Sequence, residues 1–310
     1  MVTFRFNVGG KVKIGFIGQG WIGKNYANDF EKRGFEVVRY SLEPPYDKNK
    51  RKIKFCDIVF IAVPTPTTPE GFDSSIVEEA VKNIGKGKTV VIKSTIMPGT
   101  TEKIQAQNPD IFVMHSPEFL RESSAAEDSA HPQRNILGLP RMSHEFKQKA
   151  KDVLDVLPEA PFSRVCTAKE AEFIKYAGNC FLYAKVVFVN MLYDLAKDLD
   201  CDWNVVRDAM VADSRIGESH MDPVHQSGRG AGGHCFIKDF AAFKKMYQDH
   251  VADLKGMSLL KTMEEKNIDL LLSSDKDLDL LAGVYGNELA EKEDQESSLS
   301  SISAVGEIAS

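Results

Sequence analysis

The sequence predicts an α/β protein: a doubly wound parallel sheet followed by an all-helical domain built on one long helix. Two observations lead to this fold class. Short apolar runs alternate with helical patterns up to residue 165, as is typical of a parallel sheet with helices on both faces. After residue 167 the strand pattern ends, and residues 168–199 contain no proline and a single glycine. We therefore expect a sheet domain at 1–167 and a helical domain at 168–272.

Seven apolar runs predict the strands, and apolar residues at helical spacing fill the stretches between them. The predicted strands are residues 12–17, 36–40, 57–63, 89–93, 111–114, 135–139 and 163–165. The predicted helices of the first domain are 21–33, 74–84 and 144–156, and those of the second are 168–199, 203–211, 240–247 and 259–272. A helix as long as 168–199 can join domains, form a dimer seam or lie in a core.

Composition narrows the class of protein. The chain has 310 residues, of which 43% are hydrophobic, and its net charge of −6 argues against a nucleic-acid platform. No apolar run approaches the ~20 residues of a membrane span, and the first 13 residues lack the apolar stretch of a secretory signal. The five cysteines form no CxxC pair, which favours free thiols. We expect a cytoplasmic protein without a membrane or nucleic-acid partner.

The charge is concentrated at the C-terminal end. Residues 288–310 hold six acidic residues against one lysine, are rich in serine and contain no aromatic residue. Segments of this composition cannot bury enough apolar surface to fold. We therefore predict that residues 273–310 form an acidic, disordered tail.

The first predicted strand runs into a glycine-rich turn. The segment 11–23 reads KVKIGFIGQGWIG, in which Gly18, Gly20 and Gly23 form a GxGxxG motif followed by a helix that begins with Trp21 and Ile22. In this strand–turn–helix context the glycines permit a tight turn and a close approach of a pyrophosphate to the backbone. The free N–H groups of the helix then face the phosphates. The motif predicts a Rossmann-like dinucleotide site.

The end of the second strand bears on the choice of cofactor. An acid is expected there to hold the ribose hydroxyls, but Ser41 occupies the position and Glu43 follows two residues later. Arg39 and the basic run 48–54 could instead favour a 2′-phosphate, although most of these lysines are typical of a solvated loop. We expect NAD, with NADP left open.

Chemically capable side chains recur at helical spacing farther along the chain. Cys235 follows four glycines within residues 228–233 and is expected at a helix start, where the dipole depresses the pKa of a thiol. Three pairs lie four residues apart, which places both members on one face of a helix. These pairs are Cys235 with Asp239, Lys175 with Asn179, and Glu118 with Glu122, the last only if its segment is helical.

Four segments carry a resemblance to a known family. They read VIKSTIMPGTT at 91–101, SPEFLRE at 116–122, AEFIKYAGN at 171–179 and GRGAGGHCFIKD at 228–239. With them the chain resembles the UDP-glucose/GDP-mannose dehydrogenase family over roughly residues 12–267. The resemblance implies an NAD-dependent, four-electron oxidation of the primary alcohol of a nucleotide sugar to a carboxylate, by a homodimer formed through the long helix.

The resemblance also assigns roles to residues. Asp239 and Lys175 would assist proton removal through water, Cys235 would form a thiohemiacetal and then a thioester, and Lys175 with Asn179 would hold the oxyanion. Glu118, with Glu122 and Thr95, would direct the hydrolytic water. Other expected cofactor contacts are Val63, Pro64, Thr65, Thr95 and Lys238, beside Gly18, Gly20, Trp21, Ile22, Gly23 and Ser41. Expected substrate contacts are Phe119, Leu120, Arg121, Lys175, Arg215, Gly232 and Gly233.

Alternatives remain open at this point. The family continues into a third domain, for which the residues after 267 are too few. A two-electron hydroxyacid dehydrogenase also combines a dinucleotide domain, a long helix and a Lys-x-x-x-Asn pair, but it needs no thiol. A non-catalytic dinucleotide-binding scaffold is the third interpretation. His220, His225 and His234 lie around the glycine-rich loop in sequence, and the resemblance favours histidines of a substrate loop or structural histidines over a metal site.

Overall fold

A computed structural model describes residues 12–226 and 228–286 of the chain. The described residues form two compact units. The first comprises residues 12–65 and 73–175, and the second comprises residues 66–72 and 176–286.

The helices and strands follow the apolar runs of the sequence. The strands are β1 (Lys13–Ile17), β2 (Glu36–Tyr40), β3 (Ile58–Ile61), β4 (Thr67–Thr68), β5 (Gly71–Phe72), β6 (Thr89–Ile92), β7 (Phe112–His115), β8 (Arg134–Leu139), β9 (Phe162–Thr167), β10 (Val224–His225) and β11 (Gly228–Arg229). The α-helices are α1 (Trp21–Lys32), α2 (Lys50–Ile53), α3 (Ser75–Val81), α4 (Thr100–Gln107), α5 (Ala125–Ala130), α6 (His144–Val156), α7 (Ala168–Asp198), α8 (Trp203–Val211), α9 (Gly233–His250), α10 (Leu254–Leu272) and α11 (Leu278–Tyr285).

The first unit is built on one seven-stranded sheet in the order β2-β1-β3-β6-β7-β8-β9. All seven predicted strands are present in it. The pairs are parallel except β7 with β8, which run antiparallel through the single register pair His115 and Gly138. The predicted doubly wound parallel sheet is thus confirmed, with one antiparallel pair that was not predicted. The carboxyl ends of β1, β3 and β6 lie side by side, and ligands bind at this edge in open α/β sheets.

Aromatic packing fixes the first helix on the sheet. Phe16 of β1 stacks on Phe60 of β3 at 5.1 Å between ring centroids, and Phe30 of α1 packs edge-on against Phe16 at 5.4 Å. All three rings are buried. Because such rings bury large apolar areas, this cluster sets the position at which α1 leaves the glycine turn.

The second unit is mainly helical; the sequence predicted an all-helical domain and not the short β10–β11 hairpin. Helix α7 is continuous over 31 residues, begins in the first unit and continues in the second. In the second unit Tyr183 of α7 stacks on Phe240 of α9 with 3.9 Å between ring centroids. The short hairpin of β4 and β5, which the sequence analysis did not predict, belongs to this unit.

The predicted tail requires a correction. Residues 273–286 are folded, because Leu281 of α11 is buried in a cluster with Ile237 of α9 and Leu271 of α10. The predicted boundary at residue 272 is thus too early. Residues 287–310, which carry the acidic part of the predicted tail, lie outside the described residues, as do residues 1–11. Within the described ranges, no helix is long and apolar enough to cross a membrane.

Candidate active site

The glycine turn after β1 has the geometry that a pyrophosphate requires. Gly18 has a φ of +90°, and a Cβ there would lie 2.1 Å from the carbonyl oxygen of Ala62. A Cβ on Gly23 would lie 2.0 Å from the carbonyl oxygen of Gly18, whereas a Cβ on Gly20 would meet nothing within 4 Å. The first and third glycines are thus demanded by the fold, and the second leaves open backbone for a ligand. The turn fits a dinucleotide.

The helix that follows the turn presents its N-terminus to that open space. Trp21, the first residue of α1, is partly exposed, and Ile22 packs against the core of the sheet. No side chain caps the helix at Gly20. Since the first backbone N–H groups of a helix have no partner within the helix, they can bind phosphate oxygens.

The end of β2 carries the residues that bear on ribose recognition. Ser41 donates a hydrogen bond from its Oγ to the carbonyl oxygen of Glu43, at 2.8 Å. The guanidinium of Arg39 is buried and bound to Glu31 at 2.7 Å and to Asn28 at 2.8 Å. Arg39 is therefore engaged by α1, and its guanidinium is not the cation that a 2′-phosphate would need. This arrangement favours NAD.

The loops after β3 and β6 are tied together beside the turn. The backbone N–H of Val63 donates to Ser94 Oγ at 3.0 Å, and Ser94 Oγ donates to the carbonyl oxygen of Val63 at 2.7 Å. Thr65 and Thr95, predicted cofactor contacts, are both buried. Pro64 lies between the tied Val63 and Thr65. The predicted cofactor residues of the first unit thus gather at the carboxyl ends of β1, β3 and β6.

A buried ion pair follows β7. Lys175 Nζ lies 2.8 Å from Glu118 Oε1, and the exposed fractions of the two side chains are 5% and 3%. The second carboxylate oxygen, Glu118 Oε2, accepts a hydrogen bond from the backbone N–H of Leu120 at 2.7 Å. Buried carboxylates need such partners, and removal of one leaves an uncompensated charge. The structure thus brings two predicted catalytic residues into direct contact.

A second lysine lies in the same buried cluster, and the sequence analysis did not single it out. Lys93 Nζ lies 3.1 Å from Ser116 Oγ and 4.5 Å from the ring centroid of Tyr26. Burial lowers the pKa of Lys93 from 10.5 to about 7, an effect that Glu118 opposes and Lys175 reinforces. In the sequence Lys93 follows directly on an apolar strand, and this position is the only signal of its burial.

The segment between Glu118 and Glu122 is not helical, so these residues do not share a helix face. Residues 116–121 are irregular, and a short 3-10 helix begins at Glu122. Phe119 instead lies between two cations, with Arg134 Cζ at 3.7 Å and Lys175 Nζ at 5.7 Å from its ring centroid. Leu120 packs against the core, and Arg121 is exposed and paired with Asp128 at 2.6 Å.

A buried carboxylate that sequence reasoning missed holds the loop after β6. Glu172 of α7 accepts hydrogen bonds from the backbone N–H groups of Gly99 and Thr101, at 2.6 and 2.8 Å, and from Thr101 Oγ1 at 2.6 Å. Burial raises the pKa of Glu172. Because these N–H groups lie at the start of α4, Glu172 caps that helix from a distant part of the chain.

The second unit holds a carboxylate with two partners. Asp239 is buried, and its Oδ2 accepts a hydrogen bond from Asn179 Nδ2 at 2.6 Å. Its Oδ1 lies 2.5 Å from Lys238 Nζ. Lys238, a predicted cofactor residue, is thus an ion-pair partner of Asp239. The structure joins Asn179 of α7 to Asp239 of α9, two catalytic candidates that are 60 residues apart in sequence.

Cys235 lies where the sequence analysis expected it, at the start of a helix. It is the third residue of α9, and Gly232 and Gly233 occupy the N-cap and first positions. Gly233 has a φ of +78°, a left-handed conformation that favours glycine. The side chain of Cys235 is partly buried. Its position at a helix N-terminus, behind a glycine-rich loop, is typical of a nucleophilic thiol.

Arg215 belongs to the second unit and is exposed. Its side chain is 87% exposed, and its guanidinium lies 2.5 Å from Asp213 Oδ2. The following turn is held by Lys185 of α7, whose Nζ donates to the carbonyl oxygens of Ile216, Gly217 and Ser219. An exposed arginine on an anchored turn can serve a ligand or a partner subunit.

Comparison of the sequence with known proteins identifies the family. Residues 42–155 match the NAD binding domain of the UDP-glucose/GDP-mannose dehydrogenase family, and residues 169–268 match its central domain. The chain belongs to this family. NAD is accordingly the cofactor that its first domain binds, in agreement with the open backbone at Gly20 and with the engaged guanidinium of Arg39.

Named dehydrogenases are among its relatives. The chain is 35% identical over 218 residues to a UDP-glucose 6-dehydrogenase of Rhizobium meliloti, covering 66% of this chain and 49% of that protein. It is 30% identical over 249 residues to that of Rickettsia prowazekii, covering 77% and 55%. A solved UDP-glucose dehydrogenase of Pyrobaculum islandicum superposes with a TM-score of 0.72 at 29% identity, over 85% of this chain and 70% of that one. The chain spans about half the length of these curated relatives.

Proposed function

We propose that this member of the dehydrogenase family oxidises the primary alcohol of a nucleotide sugar, of the UDP- or GDP-hexose class, to the uronic acid. The observation that carries the proposal is the set of buried polar pairs at the family motifs: Glu118 with Lys175 in one unit, and Asn179 with Asp239 in the other. A buried carboxylate costs stability unless it is well partnered. Two such pairs at family motifs, with a thiol at the start of α9, are best explained by catalysis.

The proposed reaction has three stages, and different residues of the chain act in each. NAD supplies the chemistry of hydride acceptance, once for each of the two oxidations. In the first stage Asp239 and Lys175 assist removal of the hydroxyl proton through water, and an aldehyde forms. In the second the Cys235 thiolate adds to the aldehyde carbon, and the oxyanion of the thiohemiacetal is held by Lys175 and Asn179.

The last stage is hydrolysis of the thioester that the second oxidation leaves on Cys235. Glu118 takes a proton from water, the hydroxide adds to the acyl carbon, and the C–S bond breaks to return the thiolate. The pairing of Glu118 with Lys175 holds the carboxylate in place. Thr95, buried after β6, is proposed to position the water. The role of Glu122 rests on the family resemblance.

The remaining residues of the proposal bind the two ligands. Gly18, Gly20, Gly23, Val63, Pro64, Thr65 and Ser41 are proposed to contact NAD. Phe119, Arg215, Gly232 and Gly233 are proposed to contact the nucleotide sugar. Leu120 and Arg121 are also proposed to contact the nucleotide sugar; Leu120 packs partly against the core, and Arg121 is exposed and paired with Asp128.

A direct assay tests the function. Purified protein with NAD is offered UDP-glucose, GDP-mannose and other UDP- and GDP-sugars, and the appearance of NADH is followed. We expect turnover with at least one of them and its loss in Cys235→Ala, with Cys201→Ala, an exposed thiol, as the matched control. Tight NAD binding without turnover on any sugar would contradict the proposal and favour a non-catalytic scaffold.

We propose a homodimer formed through α7. In the second unit this helix exposes a row of large apolar side chains, Phe181, Phe188, Met191 and Leu195, of which Phe181 is 72% exposed, and the exposed Leu199 follows its last residue. Exposed apolar patches of this kind mark interaction surfaces. Sedimentation should give a dimer that Phe181→Glu with Phe188→Glu converts to a monomer.

All five thiols are free, which supports a reducing compartment, and we propose the cytoplasm.

A further inference from the structure

The glycine-rich loop 228–233 is held by a short segment that lies outside the family match. Ser274 Oγ accepts a hydrogen bond from the backbone N–H of Arg229 at 2.9 Å, and Asp277 Oδ2 accepts one from the N–H of Gly233 at 2.7 Å. Lys276 Nζ donates to the carbonyl oxygens of Gly228 and Gly230 at 3.4 and 3.1 Å. The matched central domain ends at residue 268, so the side chains that hold the loop come from the part of the chain that follows this domain.

Two of the glycines are explained by this segment. A Cβ on Gly232 would lie 2.0 Å from Asp277 Oδ2, and a Cβ on Gly228 would lie 2.5 Å from Ser274 Oγ. A Cβ atom does not approach another heavy atom this closely, so Ser274 or Asp277 would have to shift. The glycines at 228 and 232 therefore allow residues 274–277 to lie directly against the loop.

The segment itself is a strained turn. Asp275 and Asp277 have φ values of 52° and 56°, in the left-handed region that non-glycine residues rarely adopt. Lys276 between them is buried, and burial lowers its pKa. Strained residues and buried charges persist only where the surroundings fix them, and they concentrate at functional sites.

The charge of Asp277 bears on the thiol. Its carboxylate binds the first N–H of α9, two residues before Cys235. A helix N-terminus stabilises an anion, and a second negative charge at the same place opposes it. Asp277 thus competes electrostatically with a thiolate at Cys235.

We propose that Lys276 and Asp277 are positioning residues, which fix the glycine-rich loop and set the charge at the helix start that carries Cys235. The proposal rests on the proposed function only where it concerns the catalytic role of Cys235. The contacts themselves lie within the second unit and do not depend on any substrate.

The test of the charge uses Asp277→Asn in the full-length protein. Asparagine adopts the left-handed conformation readily and its amide oxygen can accept the Gly233 hydrogen bond, so the variant removes the charge alone. Asp275→Asn is the matched control, because Asp275 lies in the same turn with a similar φ and an exposed side chain. Cys235 is alkylated with iodoacetamide at neutral pH and quantified on the tryptic peptide 230–238, which contains no other cysteine.

We expect Cys235 to be alkylated about threefold faster or more in Asp277→Asn, because removal of a nearby negative charge favours the thiolate form of the cysteine. Asp275→Asn should alkylate at the rate of the parent protein. Equal rates in the two variants would overturn the electrostatic part of the proposal. The readout uses neither NAD nor sugar, so a protein without dehydrogenase activity would refute the proposed function and leave this test intact.

The positioning part is tested by hydrogen exchange. Asp277→Ala removes the acceptor of the Gly233 N–H and should raise deuterium uptake in a peptide that covers residues 228–235, whereas Asp275→Ala should not. Lys276→Met should raise uptake in the same peptide, and Lys276→Arg should restore protection in part. Unchanged uptake in Asp277→Ala and Lys276→Met would show that the loop is fixed by other contacts and would overturn this part.

Discussion

The two groups of catalytic candidates are built in different ways. Glu118 and Lys175 form a buried ion pair, in which Glu118 follows strand β7 of the sheet. Cys235 is partly buried and begins a helix, behind a loop that has few side chains of its own and is held by residues 274–277. The first group depends on its partner charge, and the second depends on a distant segment of chain. The proposed general base, Glu118, is thus stabilised by a buried ion pair, whereas the proposed nucleophile, Cys235, lies behind a loop that is held by hydrogen bonds from residues 274–277.

The largest effect is expected at the buried pair. Lys175→Met leaves Glu118 as a buried carboxylate without its cation, which should lower the free energy of unfolding by about 3–5 kcal/mol. Urea denaturation measures the loss. Lys169→Met is the matched control on the same helix, because Lys169 pairs with Glu102 at the surface and should change stability by less than about 1 kcal/mol. Equal losses in the two variants would mean that the buried pair is not what distinguishes the first group.

The next effect concerns the pH dependence of the same cluster. The pKa of Lys93 is about 7 in the folded protein and 10.5 without burial, so between these values the unfolded chain binds more protons. Folding stability should therefore rise with pH in this window and be lowest below pH 7. Lys93→Met removes this contribution.

The stability advantage of Lys93→Met over the parent protein should accordingly shrink by about 2 kcal/mol between pH 7 and pH 9. Denaturation of both proteins across this range measures it. A difference that stays constant with pH would show that Lys93 keeps its ordinary pKa. Glu118, Lys175, Tyr26, Ser116 and His115 surround Lys93, and burial lowers the pKa of His115 to about 3, so this histidine is neutral throughout.

The smallest effect is expected in the glycine-rich loop. Gly232→Ala displaces the Asp277 carboxylate from the Gly233 N–H and should cost about 1 kcal/mol, the net value of a hydrogen bond at a partly exposed backbone group. In an Asp277→Ala background the same substitution should cost less, and the double-mutant cycle measures the coupling. Gly178→Ala in α7, where a Cβ meets nothing within 4 Å, should instead be neutral or stabilising. Additive costs would contradict the contact between the loop and residue 277.

The sequence predicted the strands well because each is an apolar run bounded by turns, and α7 because helical spacing persists across it. The antiparallel step at β8 was missed because direction leaves no mark in a run such as 134–139. Glu118 and Glu122 do not share a helix face, a placement that required a helical segment, because residues 116–121 are irregular.

The site residues that lie in sequence motifs could be predicted, whereas those whose role depends on tertiary contacts could not. Cys235, Lys175, Asn179 and Asp239 stand in recognisable segments. Glu172 and Lys93 owe their importance to burial, which one charged residue in a sequence does not reveal. Residues 273–277 read SSDKD, a composition typical of a solvent-exposed loop. Only the spacing of the apolar residues Leu278, Leu281 and Val284 indicates the helix that follows this turn and anchors it.

The most direct test of the account is the number of NADH molecules formed per molecule of sugar when the nucleotide sugar is limiting and NAD is in excess. Oxidation of the alcohol through a thiol-bound intermediate to the carboxylate predicts two NADH per sugar, with turnover lost in Cys235→Ala. One NADH per sugar, unchanged in Cys235→Ser, would contradict the account and indicate a simple two-electron dehydrogenase.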